Sequence, residues 1–224
     1  MRSESVGRRA MAIVLAVMML LAGCGHGDAP APPAPKPPPS DPALVQTATG
    51  ALRGVVAPDH RLFAGIPYAA PPVGPLRWQP PAPPLPWPGI RDATHIGPRC
   101  MQDAGDLEMG RQTSEDCLSL NVWTPPQSEK KRPVMVWIHG GAFINGSSGI
   151  YDSRWLATRG DIVVVTLNYR LGALGFLAHP ALGAPGAVGN YGLSDQQAAL
   201  RWVHDNIASF GGDPDAVTIA GESA

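Results

Sequence analysis

The sequence predicts an α/β fold, a mostly parallel central sheet covered by helices and preceded by an N-terminal β-hairpin. Three observations predict it. Val134-Met135-Val136-Trp137-Ile138 and Ile162-Val163-Val164-Val165-Thr166-Leu167 are continuous apolar runs rich in β-branched residues. Such runs read as strands buried on both faces, which are usually parallel. A helical periodicity follows them, and a third β-branched run, Val217-Thr218-Ile219-Ala220, comes near the end of the chain. Strand, helix, strand is the order from which layered α/β sheets are built.

Taken in chain order, residues 44–56 alternate apolar and polar around Gly50, which predicts a hairpin turning near Thr49-Gly50. Residues 62–68 read as a further strand, stopped by Pro71 and Pro72. The prolines of 71–88 remove backbone donors and forbid regular structure. A Lys-rich turn at 129–132 precedes the first buried run, and 151–159 can supply a short crossover helix to the second. A clearer helix is predicted from Ser194, which with Gln197 fits a capping box. Leu200, Val203, Ile207 and Phe210 then recur on one helical face, and Gly211-Gly212 stops it. Asp213-Pro214 turns the chain into the last run.

The first 43 residues differ in character. Arg2, Arg8 and Arg9 precede an uncharged apolar run at 10–22, which ends in Leu21-Ala22-Gly23-Cys24. The run is shorter than the ~20 residues of a membrane-spanning helix. It resembles the bacterial lipobox, in which the chain is cut before a cysteine whose thiol carries lipid. The expectation is therefore a lipoprotein signal peptide at 1–23 and lipidation at Cys24, with the protein exported and anchored to the bacterial envelope, at the outer membrane or periplasm. An ordinary signal peptide or an uncleaved anchor is the alternative. Residues 24–43 are dominated by Pro and Ala, and such a tether stays extended at ~3.1 Å per residue in polyproline form. The folded domain is expected at 44–224.

Composition bounds the partners. The 224 residues carry a formal net charge of −1, and no concentrated basic run points to nucleic acid. Of the three cysteines, one belongs to lipid if the lipobox holds. Cys100 and Cys117 then form a plausible disulfide in an oxidising compartment, contributing on the order of 3 kcal/mol, with two free buried thiols as the alternative.

Two motifs carry chemistry. A serine hydroxyl attacks a carbonyl only when a base takes its proton and donors receive the oxyanion. Gly221-Glu222-Ser223-Ala224 follows a β-branched run and matches four residues of the G-x-S-x-G elbow, with Ser223 as nucleophile. His139-Gly140-Gly141-Ala142 follows a buried run, where the oxyanion loop of an α/β-hydrolase belongs. Gly141 and Ala142, joined by Ala224, are the expected amide donors, with His139 and Gly140 supporting the loop. A plain glycine turn is the bland reading of the same residues.

These motifs do not stand alone. Phe63-Ala64-Gly65-Ile66-Pro67-Tyr68-Ala69, Ser114-Glu115-Asp116-Cys117-Leu118, Asn121-Val122-Trp123, Asn168-Tyr169-Arg170 and Phe210-Gly211-Gly212-Asp213-Pro214 accompany them in order. From about Leu44 onward the chain resembles the type-B carboxylesterase and cholinesterase family of α/β-hydrolases. Ser119 departs from it, since the family usually has an aromatic residue or threonine there.

The resemblance implies hydrolysis of carboxylic esters through an acyl intermediate on Ser223, with no metal or cofactor. It implies a triad acid and histidine later in the chain than Ser223, so that these 224 residues are the N-terminal part of the domain and inactive alone. Glu222, adjacent to the nucleophile, is expected to be a buried secondary carboxylate rather than the triad acid. Cholinesterases carry a choline-stacking tryptophan in the disulfide loop, whereas no aromatic lies between Cys100 and Cys117. Short acyl or aryl esters are therefore expected over choline esters. A non-catalytic adhesion module, or cleavage of amides, thioesters or carbamates, are the competing readings.

Overall fold

The computed structural model describes residues 41–103, 111–183 and 188–223. The expected signal peptide, Cys24 and the tether as far as residue 40 lie outside the described residues, as does Ala224.

The strands, in chain order, are β1 (Leu44–Thr47), β2 (Gly50–Arg53), β3 (Val55–Val56), β4 (Arg61–Pro67), β5 (Ile90–Asp92), β6 (Arg99–Cys100) and β7 (Thr113–Ser114), followed by β8 (Ser119–Thr124), β9 (Arg132–Ile138), β10 (Val163–Leu167) and β11 (Gly212–Gly221). The α-helices among the described residues are α1 (Arg154–Gly160), α2 (Gly172–Phe176) and α3 (Tyr191–Asn206). β1 and β2 form the expected hairpin, closed by the Thr47–Gly50 pair, and β5 joins β2 in parallel. The proline-rich stretch at 71–88 holds one 3-10 turn, Gly74–Leu76, and is otherwise irregular.

A six-stranded sheet in the order β11-β9-β10-β8-β4-β3 forms the centre. β11, β9 and β10 are mutually parallel, while β8, β4 and β3 continue antiparallel. The parallel half holds all three runs that the sequence singled out. The other half is antiparallel in part because the short loop 57–60 between β3 and β4 can only reverse the chain.

Side-chain alternation explains why the β10 run is apolar throughout. Val163, Val165 and Leu167 join Leu120, Val122, Val134 and Val136 in the larger core, which includes Ala199, Trp202 and Val203 of α3 with Ile207 and Phe210. Val164 points the other way, against Trp123 and Ala157 of α1. Each fully buried side chain of this size contributes about 1.5–3 kcal/mol. The period of two thus puts one apolar residue after another into opposite cores.

Apart from β11, which begins at Gly212 and so takes in Asp213-Pro214 where a turn was expected, two boundaries differ from the sequence reading. α3 begins at Tyr191, a turn before Ser194, and Asn190 in left-handed conformation precedes it. Ser194 makes no capping box; its hydroxyl donates to the carbonyl of Asn190, 3.2 Å away. The reason is tertiary. Asp195 is fully buried against Arg170, bonded at 2.8 and 2.7 Å to the guanidinium and at 3.0 Å to the backbone amide. That contact fixes the first turn more firmly than a local cap. At the other boundary, residues 41–43 belong to the folded unit: the Ala43 carbonyl accepts from Gly54, and that of Pro42 from Arg61.

Candidate active site

Register brings the two motifs together. In the parallel ladders, Gly221 pairs with Ile138, and Ile138 with Leu167. Three strands therefore end at one level, spaced at about 4.8 Å. Off their carboxyl ends leave His139-Gly140, Glu222-Ser223 and Asn168-Tyr169-Arg170, side by side. Carboxyl ends are where open α/β sheets bind ligands.

The contact is close. A β-carbon placed on Gly140 would stand 2.8 Å from Ser223 Cβ and 3.0 Å from Glu222 Oε2, and nearer still to the Glu222 carbonyl. Only a residue without a side chain lets the loop pass this close to the elbow. Ser223 itself has φ 57°, a left-handed value that an L-residue adopts at a cost of order 1–3 kcal/mol. Its side chain is exposed. A serine in left-handed conformation at a strand's exit fits the elbow.

His139 is 2 % exposed and does not face solvent as a free base. Its ring stacks on Tyr169 with centroids 4.4 Å apart, and Nδ1 lies 2.8 Å from the Gly140 carbonyl. The Tyr169 hydroxyl donates to the His139 carbonyl at 2.8 Å. Burial pushes that hydroxyl up to about 12, so it stays a donor throughout the neutral range. The stack and this bond hold the loop's first residue.

Beyond His139 the chain curls. Gly141, Ala142 and Phe143 have φ of 115°, 55° and 58°. The Gly141 carbonyl accepts from the amides of Ile144 and Asn145 at 3.0 and 3.1 Å, and that of Phe143 from Gly172 at 2.7 Å. The amides of Gly141 and Ala142 donate to no carbonyl among the described residues. Two adjacent amides without a carbonyl partner can donate to an oxyanion.

Glu222 is exposed in this chain, not buried as the sequence reading expected. β11 is the end strand of the sheet, and none of the described elements covers its tip. No described histidine is hydrogen-bonded to Ser223. His60 stacks on Trp123, His95 is bonded to Thr94, His179 accepts from Ala181, and His204 pairs with Asp205.

Cys100 and Cys117 are joined as a disulfide, both buried, with Cα atoms 5.0 Å apart. Sequence reasoning missed Gln102, two residues beyond Cys100, whose side chain bonds the backbone of Gly146 in the loop after His139. A lone glutamine carries no pattern by which to find it.

The strand order and the two converging loops define an α/β-hydrolase fold. The chain belongs to the carboxylesterase family, whose model matches residues 41–224. It is 53% identical over 193 residues to a fumonisin B1 esterase of Sphingopyxis macrogoltabida, covering 82% of this chain and 35% of that protein. It is 49% identical over 188 residues to a para-nitrobenzyl esterase of Bacillus subtilis, covering 81% and 38%. A solved thermophilic PNB esterase superposes with a TM-score of 0.77 at 46% identity, covering 82% of this chain and 39% of that one. The chain spans about a third of the length of the curated relatives it matches.

Proposed function

We propose that the full-length protein hydrolyses carboxylic esters through an acyl-enzyme on Ser223. The observation that supports this is the close passage of Gly140, at the root of the loop, against Ser223. In the first step Ser223 Oγ attacks the ester carbonyl carbon, its proton passes to a histidine base, and the alcohol leaves carrying a proton. Water then attacks the acyl-serine, releasing the acid and restoring the hydroxyl. Gly141, Ala142 and Ala224 donate to the oxyanion, and Glu222 is a secondary acidic group beside the nucleophile.

In this fold the triad acid and then the histidine follow the nucleophile in sequence. Activity is therefore proposed for the longer protein, and these 224 residues alone are proposed to be inert. The relatives' names speak of fumonisin B1 and para-nitrobenzyl esters. Short acyl and aryl esters suit a disulfide loop without aromatics better than choline esters. Export, and a diacylglycerol anchor on Cys24 that holds the domain at the bacterial envelope, complete the proposal.

Labelling of the full-length protein with a fluorophosphonate tests the nucleophile. Ser223 should be modified, and Ser223→Ala should lose both the label and turnover of p-nitrophenyl acetate. Retained turnover in Ser223→Ala would overturn the assignment. Incorporation of labelled palmitate in a bacterial host, absent in Cys24→Ala, tests the anchor.

A further inference from the structure

The loop that carries the Gly141 and Ala142 amides is held at its start by Tyr169 and in its middle by the Phe143–Gly172 bond. Its far end is held differently. Gly146 N donates to Gln102 Oε1 at 2.9 Å, and Gln102 Nε2 donates back to the Gly146 carbonyl at 2.8 Å. One side-chain amide thus satisfies both backbone groups of a single loop residue. The same Nε2 donates its other hydrogen to the carbonyl of Cys100 at 3.0 Å. Both of its hydrogens and its oxygen are engaged, so the amide plane cannot turn.

Each end of this bracket is fixed. Cys100 is buried, paired through β6 to β7, and tied to Cys117, whose carbonyl accepts from Asn168. Gly146 has φ 109° and lies against the loop's root: a β-carbon there would stand 3.0 Å from His139 Cε1, and 2.5 Å from the Gly140 carbonyl. A displacement of Gly146 is therefore felt by His139 and Gly140, the residues that set the loop against Ser223.

We infer that Gln102 is a positioning residue that transmits the constraint of the Cys100–Cys117 disulfide to the oxyanion loop. It rests on the ester-hydrolase reading above. Gln102 does not touch the ester. It fixes the loop so that its amides point to where the oxyanion forms. Loss of the bracket acts on the transition state more than on ester binding, because the ground-state carbonyl draws far less on those donors.

The test compares Gln102→Leu and Gln102→Ala with wild type in the full-length protein. Expected is a fall in kcat of roughly tenfold or more with KM within about twofold, and a parallel slowing of fluorophosphonate labelling at Ser223. Leu keeps most of the volume but not the hydrogen bonds, so it should be impaired as much as Ala. Reduction of the disulfide in wild type should lower kcat similarly, and reduction of Gln102→Leu should add little. Amide exchange at Gly146, which needs no turnover, should speed up by at least tenfold in both variants while the melting transition stays cooperative. Unchanged kcat in Gln102→Leu, losses that multiply on reduction, or unchanged Gly146 exchange would each overturn the inference. Wild type that neither turns over nor labels at Ser223 would instead sink the esterase reading, and Gly146 exchange would still decide whether the bracket holds the loop.

Discussion

Gly140 lies against Ser223: the space a side chain would need at 140 is already filled by Ser223 Cβ, 2.8 Å from that position, and by the Glu222 carbonyl. The neighbouring atoms include main chain, which cannot swing aside as a flexible side chain does. Gly140→Ala should therefore displace either the loop or the elbow. In the full-length protein we expect kcat/KM on p-nitrophenyl acetate to fall by about 100-fold. The melting temperature would show whether the fold survives. Near-normal turnover would mean that the loop does not have to pass this close.

Much of this relationship could be read from the sequence. The β10 run was legible because burial on two faces leaves no polar alternation to confuse. β9 and β11 were legible because their runs are apolar and rich in β-branched residues, although most of β11 is exposed or half-buried. Val163, Val164 and Val165 all look alike in sequence, although they enter different cores. The start of α3 was not legible, because a local cap signal at Ser194 competes with the tertiary pair of Arg170 and Asp195. Neither was the exposure of Glu222, which depends on what flanks an end strand rather than on its neighbours in sequence. Gln102 reaches Gly146 through two hydrogen bonds across 44 residues of sequence, and nothing local marks it.

The Arg170–Asp195 pair carries a stability prediction. Arg170 is 3% exposed and Asp195 0%, and the carboxylate receives two guanidinium hydrogen bonds and one amide. Burial pushes the Asp195 carboxyl up, while its bonds to Arg170 oppose that rise. Asp195→Ala leaves a buried guanidinium without its partner, which costs about 3–5 kcal/mol. Urea unfolding of the variant beside wild type measures it. A loss below ~1 kcal/mol would mean that water reaches Arg170.

Alkaline pH tests the Tyr169 bond. Its hydroxyl sits at about 12, raised first by burial, against 10 for the free side chain. The neutral form is thus favoured in the folded state, and its stabilisation is full below pH ~10. As pH rises from ~10 through ~12 the unfolded chain ionises first, and that share of stability is lost. Tyr68, fully buried and donating to the Asn168 carbonyl, is also raised well above 10, by burial first, and adds to the same decline. Tyr169→Phe should be less stable at neutral pH by about 1–3 kcal/mol, because the His139 carbonyl loses its donor. It should then decline less steeply than wild type above pH 10. Parallel curves would show that the hydroxyl bond is not maintained in solution.

The end strand bears on what these 224 residues do alone. Among the described residues β11 is bonded on one side only, to β9, and Ile219 is 57% exposed on it. An uncovered apolar edge with free main-chain groups is a template for pairing between chains. Expressed by itself, this chain should elute as aggregates on size-exclusion chromatography and turn over no p-nitrophenyl acetate, since no described histidine is bonded to Ser223. Ile219→Lys places a charge on the edge and should shift material toward monomer without creating activity. A monomeric wild-type chain that unfolds cooperatively and hydrolyses the ester would show that the edge is harmless and that a base within these residues reaches Ser223.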